Sequence, residues 1–313
     1  MNRYTAIELE KLPAPHVVEP LDYATLKEAA IADLRSRHPE YDGIVEGDPA
    51  VMLLESAAYM GMLLRARVNS AALATMLATA QGSDLDHLAA QNGVQRLLIK
   101  PADDTVYPRI LAVYESDEQL RLRAQLALES FTTAGSQGSY EFWARSASGQ
   151  VKDVDIYSPP PETKVTSEGT EIIQPSGHVI VTVLAHAGNG IPDDVLLKEV
   201  EDALNAEEVR PITDLVTVQP ATILNYRIIA KLFFYRGPDP DVVRQESIRK
   251  VVEYVKNNHL LGHDITISGI YAALHQTGVQ RVELSEPSQT LQVSHFEAAF
   301  CTEIDVSFGG YDL

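Results

Sequence analysis

Apolar positions recur every three or four residues through roughly the first 150 residues, and they alternate or run together in β-branched clusters through much of the rest. The first regime predicts helices and the second strands with helices between them. Residues 1–20 precede both, and Pro13, Pro15 and Pro20 make them an extended arm. Its Ile7, Leu9, Leu12, Val17 and Val18 call for a surface to lie on, either on the arm's own domain or on a neighbouring subunit. Asp22–Arg37 places Leu26, Ala30, Ile31 and Leu34 on one helical face, and Pro39 stops it.

The most informative stretch is Ile44-Val45-Glu46-Gly47-Asp48-Pro49-Ala50. Asp48 suits an N-cap because its carboxylate accepts an orphan backbone N–H, and Pro49 suits the first helical position because it has no N–H to leave unsatisfied. From there to about Ala80 the chain has no proline and one glycine, Gly61. Leu53, Leu54, Ala57, Met60, Leu63, Leu64, Val68, Ala71, Leu73, Met76 and Leu77 form a broad apolar stripe interrupted by Glu55, Arg65, Arg67 and Asn69. At 1.5 Å per residue the predicted helix is on the order of 45 Å long. Its stripe exceeds what the preceding helix can cover. Leu53, Leu54, Met60, Leu63, Leu64 and Val68 are therefore candidate interface residues for a bundle with helices of other chains, the alternative being a long core helix within one monomer.

Gly82 ends this helix, and Ser83 to Asp86 reads as the capped start of the next. After Pro101 and Pro108, Ser116-Asp117 starts a helix through Phe131, and Ser139 to Ala147 forms another. Beyond Gly149 the pattern predicts strands at 151–156, 178–184, 215–218, 223–235, 265–267, 279–284 and 303–308, with helices at 193–205, 242–257 and 268–276. The expected fold class is α+β: an N-terminal helical domain with a long helix, then α+β modules with mixed or antiparallel sheets. The expected domains are the arm 1–20, a helical core domain 21–100, a helical connecting domain 101–150, and α+β modules 151–220 and 221–313.

Length and composition agree with two or three compact units, since 313 residues at 45% hydrophobic and 22% charged is ordinary globular usage. No apolar run approaches the roughly 18 residues of a membrane span, and Met1-Asn2-Arg3-Tyr4 has no signal-peptide core, so a cytoplasmic site of synthesis is expected. One cysteine, Cys301, allows no internal disulfide. The formal charge of −19 opposes a nucleic-acid backbone, and Arg35, Arg37, Arg65, Arg67, Arg121, Arg123 and Arg145 are dispersed among carboxylates. Direct nucleic-acid binding is not expected.

Candidate chemistry is sparse. His259 and His263 are four apart, but Gly262 interrupts any helix that would align them, and the zinc-protease glutamate is missing. Gly188-Asn189-Gly190 and Gly135-Ser-Gln-Gly138 are better read as turns than as phosphate cradles. Cys301 has His295 as its nearest base in sequence and no nucleophile motif around it. Asp153 with Asp155 and Asp193 with Asp194 read as solvated surface. Tyr140, Phe142 and Trp143 read as core anchors, with an interface as the alternative. No catalytic, cofactor or metal residues are assigned.

The ordered motifs Glu46-Gly-Asp-Pro-Ala50, Leu-Leu-Glu-x-x-Ala-Tyr at 53–59, Arg67-x-Asn69, Ala80-x-Gly-x-x-Leu-Asp86 and Gly93-Val-x-Arg96 resemble the N-terminal signature of the baseplate J-like proteins. Glu115-Ser-Asp117, Thr133-Ala-Gly135, Gly138-x-Tyr140-x-Phe142, Val151-Lys-Asp-Val154, Val209-Arg-Pro-x-Thr-Asp214, Leu261-Gly-x-Asp-Ile265 and Gly278-Val279 continue the resemblance over nearly the whole chain, in the form found in P2-like phages and R-type pyocins. Trp143 and the length of the segment from Pro159 to Gln174 depart from it. The resemblance implies a structural wedge component of a contractile-tail baseplate, residing in the tail particle, assembled in the bacterial cytoplasm and relaying the contraction trigger. The implied partners are a second copy of the chain, a baseplate I-like wedge protein, and neighbouring wedges, hub or sheath-proximal proteins. It implies no cofactor, no membrane insertion and no enzymatic role. The alternative is a tail-associated hydrolase or metal-dependent enzyme acting on the cell envelope.

Overall fold

The computed structural model describes residues 7, 9–13, 15–40, 45, 47–132, 135–160, 162–166, 169–174, 177–237 and 239–311, with backbone only for 162–174. Ile44 and Glu46 of the predicted helix start, Thr133 and Ala134 of a later motif, and Pro161 lie outside the described residues. The chain divides into two compact units. One comprises Thr5–Arg96 with Ser116–Gln125, and the other comprises Leu97–Glu115 with Leu126–Leu313.

The first unit is helical. α1 spans Tyr23–Arg37, with Asp22 as its N-cap accepting from the Ala24 N–H, and His38 closes it by donating to the Leu34 carbonyl. Leu26, Ala30, Ile31 and Leu34 are half-buried, so the predicted face is the one that packs. α2 spans Pro49–Ala74, 26 residues, about 39 Å at 1.5 Å per residue. It ends before Ala80 because hydroxyls take its last carbonyls: Thr75 Oγ1 bonds the Ala72 O at 2.8 Å, and Thr79 Oγ1 bonds the Leu73 O at 2.6 Å. α3 spans Gly82–Gln91, so Gly82, expected to close the preceding helix, opens this one, and the cap position is Gln81, two residues before Ser83. Its cap comes from a distant residue, since Asp117 accepts the Gly82 N–H at 3.0 Å. α4 spans Asp117–Leu126, and the predicted continuation to Phe131 tightens into a 3₁₀ helix over Ala127–Phe131. Leu85, Ala89, Val94, Leu120 and Ala124 are buried in this unit.

The second unit contains a short ribbon, β1 at Leu98–Lys100 with β2 at Val113–Tyr114, and helix α5 at Gln137–Ala147. Then come β3 (Val151–Tyr157), β4 (Glu162–Thr166), β5 (Gly169–Gln174) and β6 (His178–Ala185). α6 (Asp194–Leu204) leads into β7 (Leu215–Pro220). The order β3-β6-β7 makes a mixed sheet, antiparallel on one side of β6 and parallel on the other, with α6 as the crossover the parallel pair needs. Val151, Val154, Val181 and Val183 pack with Tyr140 and Ala144 of α5 and with Leu196, Val200 and Leu204 of α6. β4 and β5 form an antiparallel hairpin. This hairpin lies in the segment whose length departs from the family pattern, and its β-branched Thr163, Val165, Ile172 and Ile173 are residue types that strand pairs use.

The last sheet is built from β8 (Thr222–Phe234), β9 (Val279–Glu286) and β10 (Glu297–Tyr311), in the order β10-β8-β9, parallel then antiparallel. α7 (Pro240–Asn258) and α8 (Ile267–Leu274) lie between β8 and β9 in the chain. Tyr226, Ile228, Ala230, Leu232 and Phe234 alternate inward from β8 and meet Val243, Val251, Ile270 and Leu274 of the two helices. The predicted strand at 265–267 is a single bridge from Ile265 to Leu291, because Thr266 already caps α8 through the Gly269 N–H. The architecture is α+β with helices first and mixed sheets after, as the pattern predicts.

Candidate interface

α2 is apolar on two sides, and the chain covers one of them. At its start Asp48 Oδ1 accepts the Ala50 N–H at 2.8 Å and Pro49 occupies the first turn. Val51, Ala58 and Asn69 lie within one narrow helical stripe and are its buried residues. On this side Lys27 of α1 meets Glu55 at 2.6 Å, and Asn69 grips the extended arm, accepting the Glu19 N–H at 3.0 Å and donating to the Glu19 carbonyl at 2.7 Å. Arg65 adds a 3.2 Å ion pair with Glu19. The arm thus lies on its own unit at this point.

Among the described residues the opposite side is bare. Leu53 is 73% exposed, Leu64 66%, Met60 57%, Val68 55% and Leu63 44%, while Leu54 is half-buried beside the covered stripe. Leu53, Ala57, Met60, Leu64, Arg67 and Ala71 alternate in steps of four and three, which is the spacing of a helix-bundle seam. A helix apolar all round is normally enclosed all round. Each of these large side chains, once buried, contributes about 1.5–3 kcal/mol.

Three arginines of this unit, Arg96, Arg121 and Arg123, hold its segments together. Arg96 bridges Asp86 at 2.7 Å and Asp117 at 2.8 Å. The Gly82 N–H first, and Arg96 with it, hold the Asp117 carboxyl below its usual range. Arg121 donates to the Leu77 and Ala80 carbonyls just past α2, and buried Arg123 donates to the Gln95 carbonyl. These contacts supply the reason for dispersed basic residues in an acidic chain.

Elsewhere the predicted surface carboxylates need correction. Asp153 is buried and meets the buried Arg145 at 2.6 Å, with Glu141 2.9 Å from the same guanidinium. Asp155 meets His295 at 3.2 Å. Neighbouring sequence could not reveal the His295 contact, because that partner is 140 residues away. Asp193 is the α6 N-cap, accepting the Leu196 N–H at 2.8 Å. Tyr140 donates its hydroxyl to Asp214 at 2.7 Å, and burial with this bond pushes its pKa up. Trp143 packs at the edge of the same core, edge-on to Phe142 at 5.4 Å. His259 is buried with Nδ1 2.8 Å from the Ala299 carbonyl, which engages one of its ring nitrogens. The half-buried Cys301 thiol points to the Glu303 carbonyl, and His295 is engaged by Asp155. Among the described residues no group of three or more His, Cys, Asp or Glu is placed to hold a metal, and no helix is long and apolar enough to cross a membrane.

The chain thus carries a long helix with an exposed apolar side and continues into two mixed sheets. The baseplate J-like N-terminal domain matches residues 46–103, and the baseplate J-like central domain matches residues 132–220. Baseplate protein J of Escherichia phage P2 is 43% identical over 313 aligned residues, covering 98% of this chain and 99% of that protein. The chain belongs to the baseplate J-like family and is a structural component of a baseplate.

Proposed function

We propose that the chain is a wedge protein of a contractile tail, joined through the bare side of α2 to a second copy of itself and to a baseplate I-like partner. The observation that carries this reading is the exposure of Leu53, Met60, Leu63, Leu64 and Val68 along one side of a 26-residue helix. In this reading residues 21–100 form the wedge core, 101–150 connect it, and the modules 151–220 and 221–313 face neighbouring wedges, hub or sheath-proximal proteins. Assembly takes place in the host cytoplasm and the product resides in the tail particle. A closed ring of such contacts has two arrangements and passes between them when receptor-binding parts move, which releases the sheath.

The test is co-expression of the chain with its baseplate I-like neighbour and native mass measurement. Two copies of this chain with one partner are expected, and the double substitution Leu63→Asp, Leu64→Asp is expected to abolish the complex. A persistent lone monomer, or normal assembly of the double variant, overturns the reading.

A further inference from the structure

Two segments of the last module, at Leu261 and at His295 just before β10, reach the β3 strand of the preceding module. Val151 and Val154 point into the core under those helices, and a register shift between Val151 and Asp153 lets Asp153 and Asp155 face the other way. Asp153 uses both oxygens. Oδ1 takes the Arg145 guanidinium at 2.6 Å, and Oδ2 accepts the Leu261 N–H at 2.9 Å from a residue 108 positions on. Two residues along β3, Asp155 Oδ2 sits 3.2 Å from His295 Nδ1, 140 positions on.

Apolar and backbone contacts back up the two carboxylates. Leu184 of β6, Ala221, Leu261 and Ala298 of β10 form one buried cluster. A Cβ on Gly190 would stand 2.5 Å from Leu184 Cδ1 and 2.9 Å from His259 Nε2, so this turn approaches both as closely as a bare backbone can. Gly262, at φ +68°, has the His295 backbone against it, where a Cβ would be 3.4 Å from Cα. Tyr157 lies with its ring centroid 4.5 Å from that of His295.

We infer that this seam is a permanent lock, with Asp153 as its pin, and that the β3-β6-β7 and β8-β9-β10 modules travel as one rigid body through any rearrangement of the particle. The bonds of Asp153 give the reason. Buried Arg145 faces two carboxylates, Glu141 and Asp153, Lys152 acts on Asp153 electrostatically, and the Leu261 N–H of the other module donates to the second Asp153 oxygen. Parting the modules would take the Leu261 N–H away from the buried Asp153 carboxylate, a cost that a surface contact does not carry. Whatever switches between two states then lies outside this seam. The inference stands apart from the role assigned to α2, since no residue of that helix takes part.

The experiment measures the distance distribution between spin labels at Glu199→Cys on α6 and Asn257→Cys on α7, in a Cys301→Ser background of the full chain. It is paired with amide exchange at Leu261. A single narrow distribution is expected for the unaltered seam. In Asp153→Ala the distribution should broaden and the Leu261 amide should exchange at least tenfold faster, with the Val181 and Ile228 amides within about twofold of the parent. A broad or two-peaked distribution in the parent overturns the inference without any seam variant being needed. Unchanged Leu261 exchange in a folded Asp153→Ala chain overturns the role of Asp153. If that variant does not fold, His295→Ala tests the same seam from its weaker end: modest broadening supports the lock, and complete separation of the modules would show that His295, and not Asp153, holds them.

Discussion

Asn69, near the C-terminal end of a long helix, holds both backbone polar groups of Glu19, fifty residues away, in a two-bond clamp of 3.0 and 2.7 Å. A side-chain amide matches a peptide group in this way because it offers one donor and one acceptor in the same plane. Asn69→Ala leaves both Glu19 groups part-buried without those bonds and should cost about 1–3 kcal/mol. Urea unfolding gives the stability, and protease cleavage around residues 15–20 should accelerate in parallel. Asn69→Asp keeps the acceptor and loses the donor, so it should fall short of the parent as well.

The two sides of α2 should respond oppositely to the same chemistry. Leu64→Asp places charge on an exposed position and should leave the isolated chain within about 0.5 kcal/mol of the parent. Val51→Asp places it on the covered stripe, where an unpaired carboxylate should prevent the first unit from folding. Circular dichroism melts of the two variants, run beside partner binding, separate loss of assembly from loss of fold. Equal destabilisation by both would mean that the bare side is covered within the chain.

Arg145→Ala removes the cation between Glu141 and Asp153, each of which is nearly closed to solvent. Breaking a buried pair in this way costs about 3–5 kcal/mol, because the residual charges stay behind. Chemical denaturation of the variant beside the parent should show this loss.

His186 has its pKa lowered from 6.5 to about 4, first by burial and then by the neighbouring Lys152 and Lys256. Between those values the unfolded chain binds a proton that the folded chain refuses, so stability falls as pH drops from about 6.5 to about 4. Lys152, lowered from 10.5 to about 8 by burial, acts at the other end: stability rises as pH climbs from about 8 toward 10.5. Melting temperature against pH should show both slopes. His186→Gln should flatten the acidic slope and leave the alkaline one.

Gly149 lies against the β1 ribbon so closely that a Cβ would stand 2.4 Å from the Leu98 carbonyl oxygen. Backbone, unlike a side-chain tip, cannot swing aside. Gly149→Ala should therefore lift the ribbon, break the 2.7 Å bond from Gln150 Nε2 to the Ile99 carbonyl, and cost about 1–3 kcal/mol. Faster amide exchange across Leu98–Lys100 with an unchanged β8 would locate the damage.

What local chemistry governs was legible in the sequence. Asp48 and Pro49 mark the start of α2 because a cap needs only its own next turn, and the inward alternation of Tyr226 to Phe234 marks β8 because one side of a strand is buried. Of the six residues the stripe offered for an interface, Leu53, Met60, Leu63, Leu64 and Val68 are exposed and Leu54 is half-buried. What failed depended on partners far along the chain. Asp117 caps α3 from thirty-five residues away, which Ser83 nearby concealed. Asp153 and Asp155 looked like surface because Leu261 and His295 carry no mark of where they fold back. The β4–β5 hairpin was obscured by the prolines before it, although its β-branched residues were present.

The two-sided helix also bears on how such a chain is made. Leu53, Met60, Leu63, Leu64 and Val68 stand in water for as long as the chain is alone, and contiguous apolar surface of this kind draws identical molecules together. A surplus of this polypeptide over its partners would therefore remove itself as precipitate, so that yield follows the scarcer component and matched translation of neighbouring genes becomes a condition of solubility.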